Sequence, residues 1–328
     1  MKRFLTLISV CLSLLLPSLS WAGSTENAPA QLPKDQIATY SNKLQKDLVA
    51  RGARVAIVSR IGRDPDTLPD GINYTHVAYW VYSRLSHEDG STSTGYRVYN
   101  LYQQADDDTS SRLVQDSPAD FFAGAYKLDA GVIVPDPRLQ QKLLGTIASP
   151  TYNALHNSSY SVLANPSDPR FQNCTEHTLD VLMASLYDIE NRDQIKANIA
   201  AHFEPQHVRI GGLKRMLAPA SSAALTTKDH GSKIETATFS SIARFMSGHD
   251  LSDQIYRFTE NGAQRFTAFG KGYVISLPFE ILPDRLSDVG LVVTNDDVLA
   301  RVHIGRLYVR WAVSGARPRT VGAECTFS

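Results

Sequence analysis

Two long β-prone segments constrain the fold of this chain more than any other feature of its sequence. Residues 72–82 read INYTHVAYWVY and residues 96–103 read YRVYNLYQ, and both are rich in β-branched and aromatic side chains. A loop of Ser, Thr and Gly joins them, so we expect an antiparallel hairpin with a long connection. Residues 54–62 (RVAIVSRIG) alternate in the same way and predict another strand before the hairpin.

Helices are predicted on both sides of these strands. Apolar side chains recur every three or four positions over residues 35–51 and residues 174–189, the spacing of an amphipathic helix. Asn173 is a plausible N-cap for the second of these helices, with Glu176 in capping-box spacing. The remaining predicted segments are helices at 117–125 (capped by Ser117), 137–147 (capped by Asp136) and 238–248, and strands at 265–277, 290–293 and 299–313. The pattern indicates an α+β fold.

The N-terminus predicts export. Two basic residues precede an apolar run over residues 4–16, Pro17 breaks the run, and Ser20 and Ala22 are small residues at the positions that a signal peptidase reads. We expect a signal peptide over residues 1–22, cleaved after Ala22, and a linker over residues 23–34. A lipoprotein modified at Cys11 is the weaker alternative. No later segment is long and apolar enough to span a bilayer, which predicts a periplasmic protein without stable membrane insertion.

Charge and length exclude some functions. Lys plus Arg and Asp plus Glu both number 33, and no basic stripe carries interleaved aromatic residues, so nucleic acid is not an expected partner. The 328 residues suffice for one large domain or two modest ones. The histidines show no metal-ligand spacing, and we predict neither a metal nor another cofactor.

Removal of the signal peptide leaves two cysteines, Cys174 and Cys325. In an oxidising compartment they form either a disulfide or two thiols with separate roles. Cys174 begins a predicted buried helix, where the helix dipole and the free backbone N–H groups favour a thiolate and can stabilise an oxyanion. This position suits a nucleophile.

A cysteine nucleophile needs a histidine base that a third polar group holds in place. His76 lies within an otherwise apolar strand and shares a face with Ala78 and Trp80. Asn100 lies in the next predicted strand, and the expected pairing brings it beside His76. His87 is the competing base, but it lies in a loop rich in Ser and Gly.

The segments RVAIVSRIG, THVAYWVY, YRVYN and NCTEHTLDVL together resemble the circularly permuted branch of the NlpC-type papain-like superfamily. The resemblance covers roughly residues 50–190, and the chain as a whole resembles the bacterial family named domain of unknown function 2145. It implies a papain-like core over residues 35–210, with an antiparallel sheet packed on the cysteine-bearing helix, and an α/β extension over residues 211–328. It also implies that Cys174 is the nucleophile, His76 the base and Asn100 the orienting residue, although some permuted relatives have a second His or a Glu at that third position.

The superfamily implies acyl chemistry on an amide or ester bond of a cell-envelope peptide or lipid. Gln172 and Asn173 are candidates for holding the oxyanion, and His177 is expected to line the cleft or to be structural. Two other hypotheses stay open. The chain could be a catalytically silent envelope protein that uses the same cleft for binding, or a structural protein with a Cys174–Cys325 disulfide. The sequence does not predict the oligomeric state.

Overall fold

The computed structural model describes residues 30–209, 224–266, 276–277, 289–293, 299–304 and 307–312. The predicted signal peptide, its cleavage site after Ala22 and Cys325 lie outside these residues. Among the described residues, no helix combines the length and the apolar character that crossing a bilayer requires.

An eight-stranded antiparallel sheet forms the centre of the molecule, in the order β10-β9-β8-β5-β1-β2-β3-β4. Its strands are β1 (Val55–Arg60), β2 (His76–Ser86), β3 (Thr92–Gln103), β4 (Ser111–Asp116), β5 (Asp129–Pro135), β8 (Ser252–Thr259), β9 (Gly262–Phe266) and β10 (Ser276–Leu277). A two-stranded sheet consists of β6 (Gln206–His207) and β7 (Glu235–Thr236). A three-stranded sheet consists of β11 (Val289–Val293), β12 (Leu299–Ile304) and β13 (Leu307–Ala312).

Helices cover both faces of the large sheet because its central strands carry apolar side chains on both sides. The first face packs on α1 (Lys34–Ala50) and α2 (Pro118–Ala123). The second face packs on α3 (Pro137–Ala148), α5 (Cys174–Tyr187), α6 (Arg192–His202) and α7 (Phe239–Gly248), and a short α4 (Thr151–Ala154) follows α3. In β2, Ala78 and Trp80 face the first layer, whereas Val77 and Tyr79 face the second.

The predicted mixed α+β architecture with a large antiparallel sheet is therefore confirmed. The predicted caps are also present, because the side chains of Ser117, Asp136 and Asn173 each accept a backbone N–H at a helix start. The sequence analysis missed β4, β5, β8 and α6. It read residues 265–277 as one strand, whereas the described ends of that range belong to β9 and β10, which pair antiparallel. It also read residues 299–313 as one strand, whereas β12 and β13 pair as a hairpin.

The predicted domain boundary between residues 210 and 211 falls in a range outside the described residues. After that range, β8 pairs with β5 and β9 pairs with β8, so the chain returns to the large sheet. The division into a core and an extension stays a prediction.

Candidate active site

Cys174 is the first residue of α5, and Asn173 fixes that helix start. The Asn173 side chain accepts the backbone N–H of Glu176 at 2.9 Å and donates to the carbonyl of Val162 at 3.1 Å. The helix is held on the sheet by the Tyr79 hydroxyl, which donates to the carbonyl of Thr178 at 2.7 Å. Cys174 forms no disulfide with any residue that the structure describes, and it is only 6% exposed. The cap and the sheet contact together fix where the sulfur lies.

The sulfur lies where the hairpin between β2 and β3 opens. The pairing of these strands runs from Ser86 and Thr92 to Tyr79 and Tyr99, and two positions further on the same register would place Leu101 opposite Val77. The strands separate before that point. The backbone N–H of Val77 instead lies close enough to the Cys174 sulfur to lower the pKa of the thiol. The thiol therefore borders the peptide group that joins His76 to Val77.

His76 faces the first helical layer, whereas Cys174 begins α5, which packs on the second face of the sheet. No hydrogen bond joins the two side chains in the described part of the chain. A chain of polar contacts orients the imidazole. Its Nε2 lies 2.9 Å from Oδ1 of Asn100, whose Nδ2 donates to Oδ2 of Asp116 at 2.9 Å. A carboxylate only accepts, so Asp116 fixes the orientation of the Asn100 amide. The amide oxygen must then accept a proton from Nε2. In the neutral ring this leaves Nδ1 with a free lone pair, and none of the described residues forms a hydrogen bond with that atom.

Two aromatic rings pack against the imidazole. The ring of Tyr102 stacks on His76 at 4.8 Å between centroids, and the ring of Phe121 lies at 5.4 Å. The hydroxyl of Tyr102 donates to the same oxygen of Asp116 at 2.8 Å. Asp116 therefore positions both the partner of the imidazole and the ring stacked on it.

A buried cation lies next to this group. Arg60 is the direct partner of His76 in the pairing of β1 with β2, and its guanidinium lies over the rings of Tyr102 (5.8 Å) and Phe121 (5.2 Å). A side chain at Gly124 would collide with it, because a Cβ there would lie 2.7 Å from an Arg60 nitrogen. The glycine thus leaves the space that the guanidinium occupies.

Burial has the largest effect on the pKa values of His76 and Cys174. It lowers the pKa of His76 well below the ordinary value, and the charge of Arg60 lowers it further. Burial raises the pKa of the Cys174 thiol and outweighs the opposite effects of Val77, Thr175 and Arg60. The expectation that the helix start would favour a thiolate is therefore wrong. Without substrate, the Cys174 thiol and the His76 imidazole are both neutral.

This protonation state predicts how Cys174 reacts with iodoacetamide. In the folded protein we expect less than the roughly 3% of thiolate that a free cysteine has at pH 7. The alkylation rate should rise about tenfold per pH unit to beyond pH 9, because only the thiolate reacts. Site-resolved mass spectrometry of the Cys174 peptide measures the rate, and protein in denaturant, which should level off above about pH 8.5, is the control. A plateau below pH 8 in the folded protein would contradict the raised pKa.

The other predicted site residues have different surroundings. Gln172 is fully buried and bonds Leu155, Asn157 and Asp180 through its amide. His177 contacts the carbonyl of Tyr152 at 3.3 Å, and burial lowers its pKa to about 3. Neither lines the cavity at Cys174, whereas Asn173 does. His87 bonds Ser93 on an exposed part of the hairpin.

Sequence reasoning missed Arg60, Tyr102 and Asp116. Arg60 and Tyr102 share the strand parity of His76 and Asn100, which is a signal that could have identified them. Asp116 ends β4, a strand that was not predicted, so its proximity to Asn100 depends on a register that only the structure supplies.

A family model described as "Uncharacterized protein conserved in bacteria (DUF2145)" matches residues 47–246, which is more than half of the chain. The chain belongs to the DUF2145 family. Its predicted resemblance to domain of unknown function 2145 is thereby confirmed. The matched part of this DUF2145 protein contains His76, Asn100, Asp116 and Cys174. No curated protein and no solved structure is significantly similar to the chain.

Proposed function

We propose that this DUF2145 protein is an exported thiol hydrolase or acyltransferase that acts on an amide or ester bond of an envelope substrate. In this proposal Cys174 is the nucleophile, His76 the general base and Asn100 the residue that orients the imidazole. The observation that carries the proposal is the fully buried Nδ1 of His76, which has no hydrogen-bond partner among the described residues and whose tautomer is determined by Asn100 and Asp116. The Cys174 sulfur lies close to the backbone N–H of Val77, the residue that follows His76. The papain-like, permuted NlpC-type fold and the periplasmic location are parts of the same proposal.

The neutral resting pair determines the order of the proton transfers. As the sulfur attacks the carbonyl carbon, its proton passes to Nδ1 and the carbonyl oxygen becomes an oxyanion. The tetrahedral intermediate then expels the alcohol or amine, which takes the proton from Nδ1, and a thioester remains on Cys174. Water or an acyl acceptor releases the acyl group by the reverse sequence. The thiol and Nδ1 share no hydrogen bond in the described structure, and such contacts often tighten only when substrate is bound.

Backbone groups are the better candidates for holding the oxyanion. The side chain of Gln172 is committed to three structural contacts, and that of Asn173 caps the helix. The N–H groups of Cys174 and Thr175 precede the first N–H that bonds within α5. They point out of the positive end of the helix, where a developing negative charge is stabilised.

Acylation by an activated ester tests the proposal. The mature protein should release p-nitrophenol from p-nitrophenyl hexanoate and gain the acyl mass on the Cys174 peptide. His76→Ala should lower the acylation rate about 10²- to 10⁴-fold, which is the usual contribution of a positioned general base. His76→Gln provides a second variant in case a small side chain at this buried position impairs folding.

His87→Ala is the matched control, because this histidine is exposed and its side chain bonds only Ser93 among the described residues. It should react like the unmodified protein. Acylation at Cys174 that is equally fast in both His76 variants would contradict the proposed base. A silent binding protein would give slow acylation that does not depend on His76. Intact-mass analysis without reductant separately tests the Cys174–Cys325 disulfide.

A further inference from the structure

A small cavity opens beside Cys174. It lies between the loop before β2, the segment around residues 160–163, the start of α5 and the residues that connect β7 to α7. Its volume is about 60 Å³. A single buried water occupies about 10–15 Å³ measured in this way, so the cavity has room for about four to six non-hydrogen atoms.

The cavity wall carries no charged side chain among the residues that the structure describes. Half of its lining is apolar and comes from Leu68, Ile72, Tyr74, Val162, Leu163 and Ala237. Most of the rest are threonines. Three of their hydroxyls are already bonded elsewhere: Thr75 accepts from Gly62, Thr236 donates to Ala164, and Thr238 accepts from Ser241. The wall therefore offers little that could replace the hydration shell of an ion.

From this lining we infer that the cavity holds the acyl group of the substrate, and that this group is short and uncharged, with a chain of about four to six non-hydrogen atoms beyond the reacting carbonyl. The inference rests on the proposed function, since it places the reacting carbonyl at the Cys174 sulfur. An ionised chain end would lose its water in this cavity without gaining a partner of opposite charge. A much longer chain would have to leave the cavity or displace its wall.

Acylation of Cys174 needs no reactant other than the ester or amide substrate. The Cys174 sulfur forms a bond to the carbonyl carbon, the bond from that carbon to oxygen or nitrogen breaks, and the thiol proton leaves with the alcohol or amine. The product is a thioester whose acyl chain lies in the cavity.

A matched ester series tests the size and charge of that chain. We expect p-nitrophenyl hexanoate to acylate Cys174 at least tenfold faster than the mono-p-nitrophenyl ester of hexanedioic acid, in which a carboxylate replaces the terminal methyl group. The dodecanoyl ester should also react at least tenfold more slowly. Each rate is divided by the rate of the same ester with free cysteine. Equal normalised rates for hexanoyl and hexanedioyl would overturn the inference, even if acylation still required His76.

A second measurement does not depend on acyl transfer. Propyl methanethiosulfonate is neutral, whereas its 2-sulfonatoethyl analogue is an anion and its 2-trimethylammonioethyl analogue is a cation. Each reagent transfers its alkylthio group to a thiolate and releases methanesulfinate. Relative to protein in denaturant, both charged reagents should modify Cys174 at least tenfold more slowly than the neutral one. This preference without any acylation would support the uncharged cavity and count against the proposed enzyme. No charge preference would overturn the inference.

A charge placed at the cavity should reverse the selectivity. Ile72 is half-buried in the wall, so Ile72→Lys should raise the normalised rate with the hexanedioyl ester and the sulfonatoethyl reagent by tenfold or more. Val49 is 51% exposed on α1, and Val49→Lys is the matched control that should leave both rates unchanged. Selectivity that stays the same in Ile72→Lys would contradict the assignment of this cavity to the acyl group.

Discussion

Replacing Lys196 with Met should lower the free energy of unfolding by about 3–5 kcal/mol, the usual cost of removing one partner from a buried ion pair. The Lys196 ammonium bonds Glu176 at 2.5 Å and Asp180 at 2.7 Å, and all three side chains are almost completely buried. Burial alone would lower the pKa of Lys196, but Asp180 and Glu176 raise it. Met has a similar length and no charge, so the loss comes from the buried acidic groups of Glu176 and Asp180 left without their cation rather than from a cavity. Urea denaturation of both proteins measures it.

The loss should also depend on pH. Burial raises the pKa of Glu176 to about 8, above the value of about 4.3 for an unfolded chain. A raised pKa contributes stability that is full below the unfolded value and is lost as the pH rises through the folded one. Glu176 keeps its proton in both folded proteins below about pH 8, so both lose stability in parallel as the pH rises to that value. Above it Glu176 ionises beside Lys196 in the unmodified protein but not in the variant, so the difference between the two proteins should be larger near pH 9 than near pH 6.

Lys142→Met is the matched control, because Lys142 is exposed and its ammonium donates, within the described part of the chain, only to the carbonyl of Leu186. We expect it to change stability by less than about 0.5 kcal/mol. Adding Glu176→Gln to the Lys196→Met protein should recover part of the loss, and a double-mutant cycle isolates the coupling. A loss at position 196 that equals the control at every pH would show that these three groups do not form a buried charge cluster.

The same cluster shows where local sequence reasoning succeeds and where it fails. Asn173 was predicted as the cap of α5 from its residue type and its position before an apolar helical pattern, and it does cap the helix. Glu176 was predicted to complete a capping box. Its carboxylate instead binds Lys196, which lies 20 residues further along the chain. A local rule cannot foresee a partner from another helix.

In the candidate site, too, local sequence patterns predicted some contacts, whereas others depend on long-range packing. Strand parity and a hairpin were enough to predict that Asn100 would lie beside His76, and the structure places the two side chains 2.9 Å apart. The opening of that hairpin at Val77 and the insertion of β5 beside β1 depend on long-range pairings, which a periodic pattern does not encode. Burial likewise decides the pKa of Cys174, and burial follows from the packing of the whole core rather than from the helix start.

Asp116→Asn should slow the acylation of Cys174 about 10²-fold while leaving the fold intact. Asp116 accepts from Asn100 and Tyr102, and this is what forces the Asn100 oxygen toward Nε2 of His76. An amide at position 116 can also donate, so the Asn100 side chain is free to turn and present its NH₂ group to the ring. The ring proton then moves to Nδ1, and the base lacks the lone pair that it needs. The size of the loss is the lower end of what a positioned general base contributes.

Two readouts separate this positioning role from simple loss of structure. The ¹⁵N spectrum of His76 should show the proton on Nε2 in the unmodified protein and a mixture of both tautomers in Asp116→Asn. Tyr102→Phe removes the hydroxyl that donates to Asp116 but keeps the stacked ring and the bond between Asp116 and Asn100, so it should slow acylation less than tenfold. Asp106→Asn, at an exposed turn, is the matched control and should change neither rate nor spectrum. His76 that keeps its proton on Nε2 in Asp116→Asn would show that Asp116 does not set the orientation of the Asn100 amide. The argument that Asp116 leaves Nδ1 free to accept a proton would then be wrong.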